Sequence, residues 1–90
     1  MKLIYRKHAI IRMFERGISD QDIRTVLLTS EVIADYPNDA PYPSQLILGW
    51  INGSPIHVLT ANAEDGQVII ITAYQPDPKL WENNFKRKRS

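Results

Sequence analysis

The stretch Pro55–Pro76, PIHVLTANAEDGQVIIITAYQP, reads as two strands joined at Asp65-Gly66. That dipeptide favours a two-residue type I′ turn, whose central residues both need positive φ. The second strand carries Val68-Ile69-Ile70-Ile71, a run too continuously apolar for a strand with one wet face, so cover on both sides is expected. Against this background His57 and Tyr74 stand out. With a two-residue turn the ladder sets 57 opposite 74, and directly opposed residues share a sheet face. A four-residue loop over Ala63 to Gly66 would instead pair His57 with Thr72. Either register gathers an imidazole, a hydroxyl and a phenol on one face, which makes a candidate site.

Working outward, Gln45 to Ile51 reads as another strand, joined to the first pair through a type I′ turn at Asn52-Gly53. The His57 face then collects Leu46, Leu48, Trp50, Leu59, Thr72 and Tyr74. The opposite face collects Ile47, Ile51, Ile56, Val58, Ile69 and Ile71, the better floor for helices. Glu31 to Tyr36 supplies a further short strand, and the proline-rich segment 37–43 is a loop. Its flanking Tyr36 and Tyr42 are either stacking platforms or ordinary half-buried aromatics.

Residues 6–16 fit a helix with Ile10, Met13, Phe14 and Gly17 on one apolar stripe. His8, Arg12 and Arg16 fall on the far face in an i, i+4, i+8 row. Such a row is a solvated helix face or a grip for phosphate. Gly17 ends the helix, and Ser19 caps the next with Asp22 completing a capping box. Ile23, Val26 and Leu27 carry that second helix toward Thr29. After Tyr74, Asp77-Pro78 reads as an N-cap and N1 proline, opening a short helix to about Phe85. Trp81 and Phe85 on it would cover the His57 face, and the basic tail 86–90 would fray. The expected fold is α+β: two N-terminal helices on one face of a four-stranded antiparallel meander, plus a short C-terminal helix.

Ninety residues make one domain. The absence of cysteine suits a reducing compartment and excludes thiolate zinc sites. The apolar run in MKLIYRKH is too short for a signal peptide and no segment is long enough to span a bilayer, so a cytoplasmic protein is expected. A net charge of +1 hides strong polarity: no Lys or Arg lies between Thr25 and Pro78, and all eleven crowd the two ends. That distribution permits a basic patch for an anionic partner.

The chain has no glycine-rich phosphate loop, HExxH motif or nucleophile elbow, and no cofactor or metal is implied. What remains is His8, His57, Tyr74, Arg12 and Arg16, a set suited to metal-independent RNA cleavage. One group takes the 2′-hydroxyl proton, another protonates the 5′-oxygen, and cations stabilise the phosphorane. Either histidine can act as acid or base. A competing reading makes His57 a core imidazole satisfied by the Tyr74 hydroxyl.

The combination His8-Ala9-x-x-Arg12-Met13-x-x-Arg16-Gly17-Ile18-Ser19, Glu31-Val32-Ile33-x-Asp35-Tyr36-Pro37, Pro55-Ile56-His57-Val58 and Ile71-Thr72-Ala73-Tyr74-x-Pro76-Asp77…Trp81 resembles domain-of-unknown-function family 4258, an uncharacterised bacterial family. That family is similar in layout to the small ribonuclease toxins of the RelE and BrnT kind. The resemblance implies a toxin of a type II toxin–antitoxin pair acting as an mRNA endonuclease. It also implies a cognate antitoxin partner, often with a zinc finger or helix-turn-helix, and His8, Arg12, His57 and Tyr74 as motif positions. One departure is that RelE-like toxins tend to carry Lys or Arg on the sheet, whereas these strands have none. Cationic stabilisation must therefore come from the first helix or the tail, with Arg16 and Thr72 as further substrate contacts. The alternative on the same scaffold is a non-catalytic RNA- or protein-binding module, or a plain structural interaction domain.

Overall fold

The computed structural model describes residues 2–29 and 31–90. In chain order they form β1 (Leu3–Tyr5), α1 (Lys7–Arg16), α2 (Asp20–Leu28), β2 (Glu31–Tyr36), β3 (Ser44–Ile51), β4 (Ser54–Asn62) and β5 (Val68–Tyr74). The sheet is five-stranded and mixed, in the order β1-β5-β4-β3-β2. The antiparallel meander β2 to β5 is as expected. The added strand is β1, which pairs in parallel with Val68–Ile70 of β5. Three residues carry no periodicity, and their partner lies more than sixty positions away, so local pattern could not reveal it.

The Asn52-Gly53 turn has both central residues at positive φ and sets Ile51 opposite Ser54, as a type I′ hairpin requires. The second hairpin reaches its expected pairing by a different route. Its loop holds three residues, Glu64–Gly66, closed by the Ala63 N–H donating to Gln67 O at 2.9 Å. A three-residue loop displaces the ladder by one position. Pairing runs from Asn62–Val68 to Thr60–Ile70, skips Ile71, and resumes at Leu59–Thr72 and His57–Tyr74. Ile71 is therefore a bulge that restores the register lost at the loop. Because side chains alternate with period two, the bulge also exchanges the faces on its loop side. Ile70 and Val68, not Ile69 and Ile71, join the helix-side core.

Both helices pack on that face, α1 along β5 and α2 over β3 and β4. The buried positions of α1 are Ala9 and Met13, so the expected stripe is rotated: Ile10 and Phe14 are exposed, Phe14 at 89%. Small Ala9 lets the helix lie close to the strand. Gly17 ends α1 in a left-handed conformation, with the Ile18 N–H returning to Met13 O at 2.9 Å. The capping box of α2 is complete, Ser19 and Asp22 exchanging two bonds of 3.0 Å. The Tyr5 hydroxyl donates to Asp20 and ties β1 to the start of α2.

The segment after β5 is not a helix. Asp77 caps a single turn through the Lys79 N–H at 2.9 Å. The chain then doubles back, with an antiparallel bridge between Trp81 and Lys88. The Glu82 N–H donates to Arg87 O and the Arg89 N–H to Leu80 O, each at 2.8 Å. Asn83-Asn84 and the left-handed Phe85 favour this reversal over helix continuation. The basic tail is consequently part of a folded strap across the His57 face.

Where α2 crosses the sheet, Gly49 of β3 leaves room for Val26. A Cβ at Gly49 would stand 2.8 Å from Val26 Cγ1 and 3.0 Å from its Cα. The backbone itself is in the way, so a rotamer change cannot relieve the clash. Gly49→Ala should lower stability by about 1–3 kcal/mol despite alanine's better strand propensity. A urea melt showing no loss would remove this contact as a constraint on the fold.

Candidate functional site

His57 occupies the middle of β4 and is fully buried. Tyr74, its partner on β5, meets it edge-to-face with centroids 5.3 Å apart. Trp81 of the strap covers it from above, centroids 4.4 Å apart at 84°. Both ring nitrogens are engaged: Nε2 lies 2.7 Å from Phe85 O, and Nδ1 lies 3.2 Å from the Tyr74 hydroxyl. A carbonyl can only accept, so Nε2 carries the hydrogen. In the neutral ring Nδ1 is then bare and accepts from the Tyr74 O–H. Burial lowers the His57 pKa below that of an ordinary imidazole, with the Phe85 carbonyl opposing in part. His57 thus holds the Tyr74 phenol in place and stands behind it, instead of in an open cleft.

Tyr74 is half-buried and faces outward. Past Ile70, β5 has no strand on its β1 side among the described residues, because the chain leaves β1 to begin α1. At this edge a cleft of ≈ 500 Å³ opens, lined from α1 by His8, Arg12 and Arg16 and from β5 by Thr72 and Tyr74, with Leu80 and Trp81 of the strap closing it. The row reaches this cleft because α1 is rotated. His8 and Arg12 each directly precede a buried residue, Ala9 or Met13, so they flank the packed face and do not oppose it. Arg12 is half-buried, while His8 and Arg16 are exposed.

Five of the six sequence-derived candidates, His8, Arg12, Arg16, Thr72 and Tyr74, therefore line one cleft, and His57 supports it from behind. The Tyr74 pKa is raised, mainly by burial and also by the nearby Tyr36 phenol, so the hydroxyl keeps its proton at neutral pH. Two contributors were not among the candidate site residues. The Phe85 carbonyl is positioned by a backbone reversal. Tyr36 comes from the far side of the sheet, signalled in the sequence only as an aromatic flanking a proline-rich loop. Among the described residues no group of three or more His, Cys, Asp or Glu side chains is placed to hold a metal ion, and no helix is long and apolar enough to cross a membrane.

Folding lowers the His57 pKa, so the unfolded chain takes up a proton first as pH falls. The contribution of the neutral imidazole is complete above about 6.5, the ordinary histidine value, and declines below it toward the folded-state pKa. Urea midpoints should therefore fall between pH 7.5 and 5.5, and the His57 ring signals in NMR should titrate below the ordinary value. His57→Ala should cost roughly 3 kcal/mol or more, through the cavity and the orphaned Phe85 carbonyl. A pH-independent midpoint, or a variant as stable as the parent, would contradict the sealed arrangement.

No curated protein and no solved structure matches the chain. One family does match, over residues 5–75, a span that contains His8, Arg12, Arg16, His57 and Tyr74 but stops short of the strap. The protein belongs to that family, the domain of unknown function DUF4258.

Proposed function

We propose that the chain is a metal-independent RNA endonuclease of the type II toxin kind, working at the α1–β5 cleft. The observation that carries the proposal is the convergence of His8, Arg12 and Arg16 of α1 with Tyr74 of β5 on one open surface. Guanidinium groups suit phosphate oxygens because their paired N–H donors match them. His8, the exposed imidazole, takes the 2′-hydroxyl proton as the 2′-oxygen attacks phosphorus. Arg12 and Arg16 hold the charge that develops on the phosphorane. As the P–O5′ bond breaks, the Tyr74 O–H turns from His57 Nδ1 to the leaving 5′-oxygen, gives it the proton and recovers one from solvent. The products are a 2′,3′-cyclic phosphate and a 5′-hydroxyl. His57 takes no proton in this scheme; it positions the phenol.

The proposal includes a partner protein, the antitoxin, that silences the cleft in the cytoplasm. Its support is an apolar ridge on α1: Ile10, Ile11 and Phe14 are 55, 47 and 89% exposed. A partner segment mixing apolar and acidic residues would cover this ridge and the adjoining cationic row together. A second reading, a non-catalytic RNA-binding module, is favoured by one observation: the His57 imidazole is sealed, which leaves the cleft a single exposed imidazole.

RNA cleavage with EDTA present separates the two, measured beside RNA binding for the parent, His8→Ala, Tyr74→Phe and Arg12→Ala. His8→Ala should slow cleavage by about 10²–10⁴-fold with affinity retained. Arg12→Ala should weaken both, and should flatten the salt dependence of binding by about one unit or less. Equal background cleavage by all four proteins, with RNA still bound, would replace the enzyme with the binding module. Loss of RNA binding by the parent itself would remove both readings.

A further inference from the structure

On the other side of Tyr74 lies a second concavity of ≈ 610 Å³ that the reaction above leaves unused. Its floor is the apolar sheet surface at Leu46 and Leu59, and rings are supplied by Tyr36 at the end of β2, Tyr74, and Trp81 of the strap. A hydrogen-bond acceptor stands on the rim at Asp39, whereas Asp35, paired with Gln45, turns its side chain to the other face of the sheet. Asp39 is set by a built contact: Ser44, with no exposed surface, donates to its Oδ2 at 2.6 Å. That leaves Oδ1 and the second lone pair of Oδ2 to accept from whatever enters. Tyr74 and Thr72 line both concavities, so the two are adjoining compartments of one surface.

We propose that this pocket seats a purine base, guanine above all, of the RNA strand whose phosphate lies on the His8–Arg12–Arg16 row. The inference rests on the RNA reading given above. A floor of aliphatic side chains between aromatic rings takes a planar heterocycle by stacking, the usual way a protein holds an unpaired base. Identity then follows from the rim. An ionised carboxylate only accepts hydrogen bonds. The Watson–Crick edge of guanine presents two neighbouring donors, N1–H and N2–H, which one carboxylate meets with both of its oxygens. Adenine and cytosine present one amino donor beside a bare ring nitrogen, which repels the second oxygen. Uracil presents a single N–H flanked by carbonyls, the worst fit. Lys88, the one cation on the lining, lies on the strap with its Nζ 5.9 Å from the Trp81 ring centroid.

The test uses 2′-O-methyl pentamers, which cannot be cleaved at the blocked positions: UUGUU, UUAUU, UUCUU and UUUUU, titrated by fluorescence anisotropy. UUGUU should bind about tenfold or more tighter than UUUUU, as expected for a bidentate base contact. Asp39→Asn should erase most of that difference without weakening UUUUU. Asp35→Asn, which removes the same charge from an exposed position on the other face of the sheet, should leave the difference unchanged. Arg12→Ala should weaken all four oligonucleotides by a similar factor. Equal binding of the four with a normal salt dependence would overturn the base pocket while leaving the phosphate row intact. A preference for UUUUU would overturn the carboxylate reading. If none of the four binds the parent protein, the base pocket and the RNA reading fall together.

Discussion

The contact from His57 Nε2 to the Phe85 carbonyl, 2.7 Å long, holds the functional face of this protein together. It connects the centre of the sheet to a strap that has little secondary structure of its own. A buried carbonyl without a donor costs about 1–3 kcal/mol, and Phe85 reaches this position only with φ 59, a conformation rare for a bulky residue. The Phe85 ring compensates by packing edge-on against Trp50, 5.9 Å between centroids. Trp81 closes over the imidazole, and Lys86 meets Glu31 at 2.9 Å at the far margin. That last ion pair is partly exposed and adds little. The strap stays because the imidazole donates to it.

The same imidazole sets the chemistry in front of it. Donating through Nε2 leaves Nδ1 to accept, so the Tyr74 hydroxyl is oriented by a group that never meets solvent. Burial keeps that imidazole neutral and the phenol protonated, two shifts with one cause. Tyr74 then lines two adjoining compartments, one carrying the His8–Arg12–Arg16 row with Asp77, the other Asp39, Lys88 and aromatic rings. The proposed RNA ligand, with its alternating phosphates and planar bases, would span the two.

The edge of the sheet is open beyond β1. β1 stops after three residues, leaving the outer half of β5 uncovered by a strand. The bulge at Ile71 falls at this exposed portion, where a ladder is least constrained. α1 fills part of the space and turns its cationic row inward. The exposed apolar residues Ile10, Ile11 and Phe14 follow from that rotation, since burying Ala9 and Met13 carries them out of the core.

Much of the fold was legible in the sequence because its signals are local. Asn52-Gly53 demands a type I′ turn, Ser19 and Asp22 satisfy the first amides of a helix, and Gly17 stops another. Alternating apolar residues on β3 and β4 assign their faces, and a middle segment without Lys or Arg sends every such cation to the ends. The candidate residues were legible too, as the polar groups that such patterns leave over. Tertiary structure alone decided how they are used. No local rule sets how far a helix rotates over a strand, since packing against Ile70 and Ala73 of β5 chooses between the Ala9–Met13 and Ile10–Phe14 faces. The parallel pairing of β1 rewards contacts only after the whole domain has closed. The strap reads locally as a capped helix, yet Asn83-Asn84 and the left-handed Phe85 turn it back, and the His57 imidazole holds it there. Whether His57 faces water or protein is therefore settled by a carbonyl twenty-eight residues away, through the cost of leaving buried hydrogen-bonding groups unpaired.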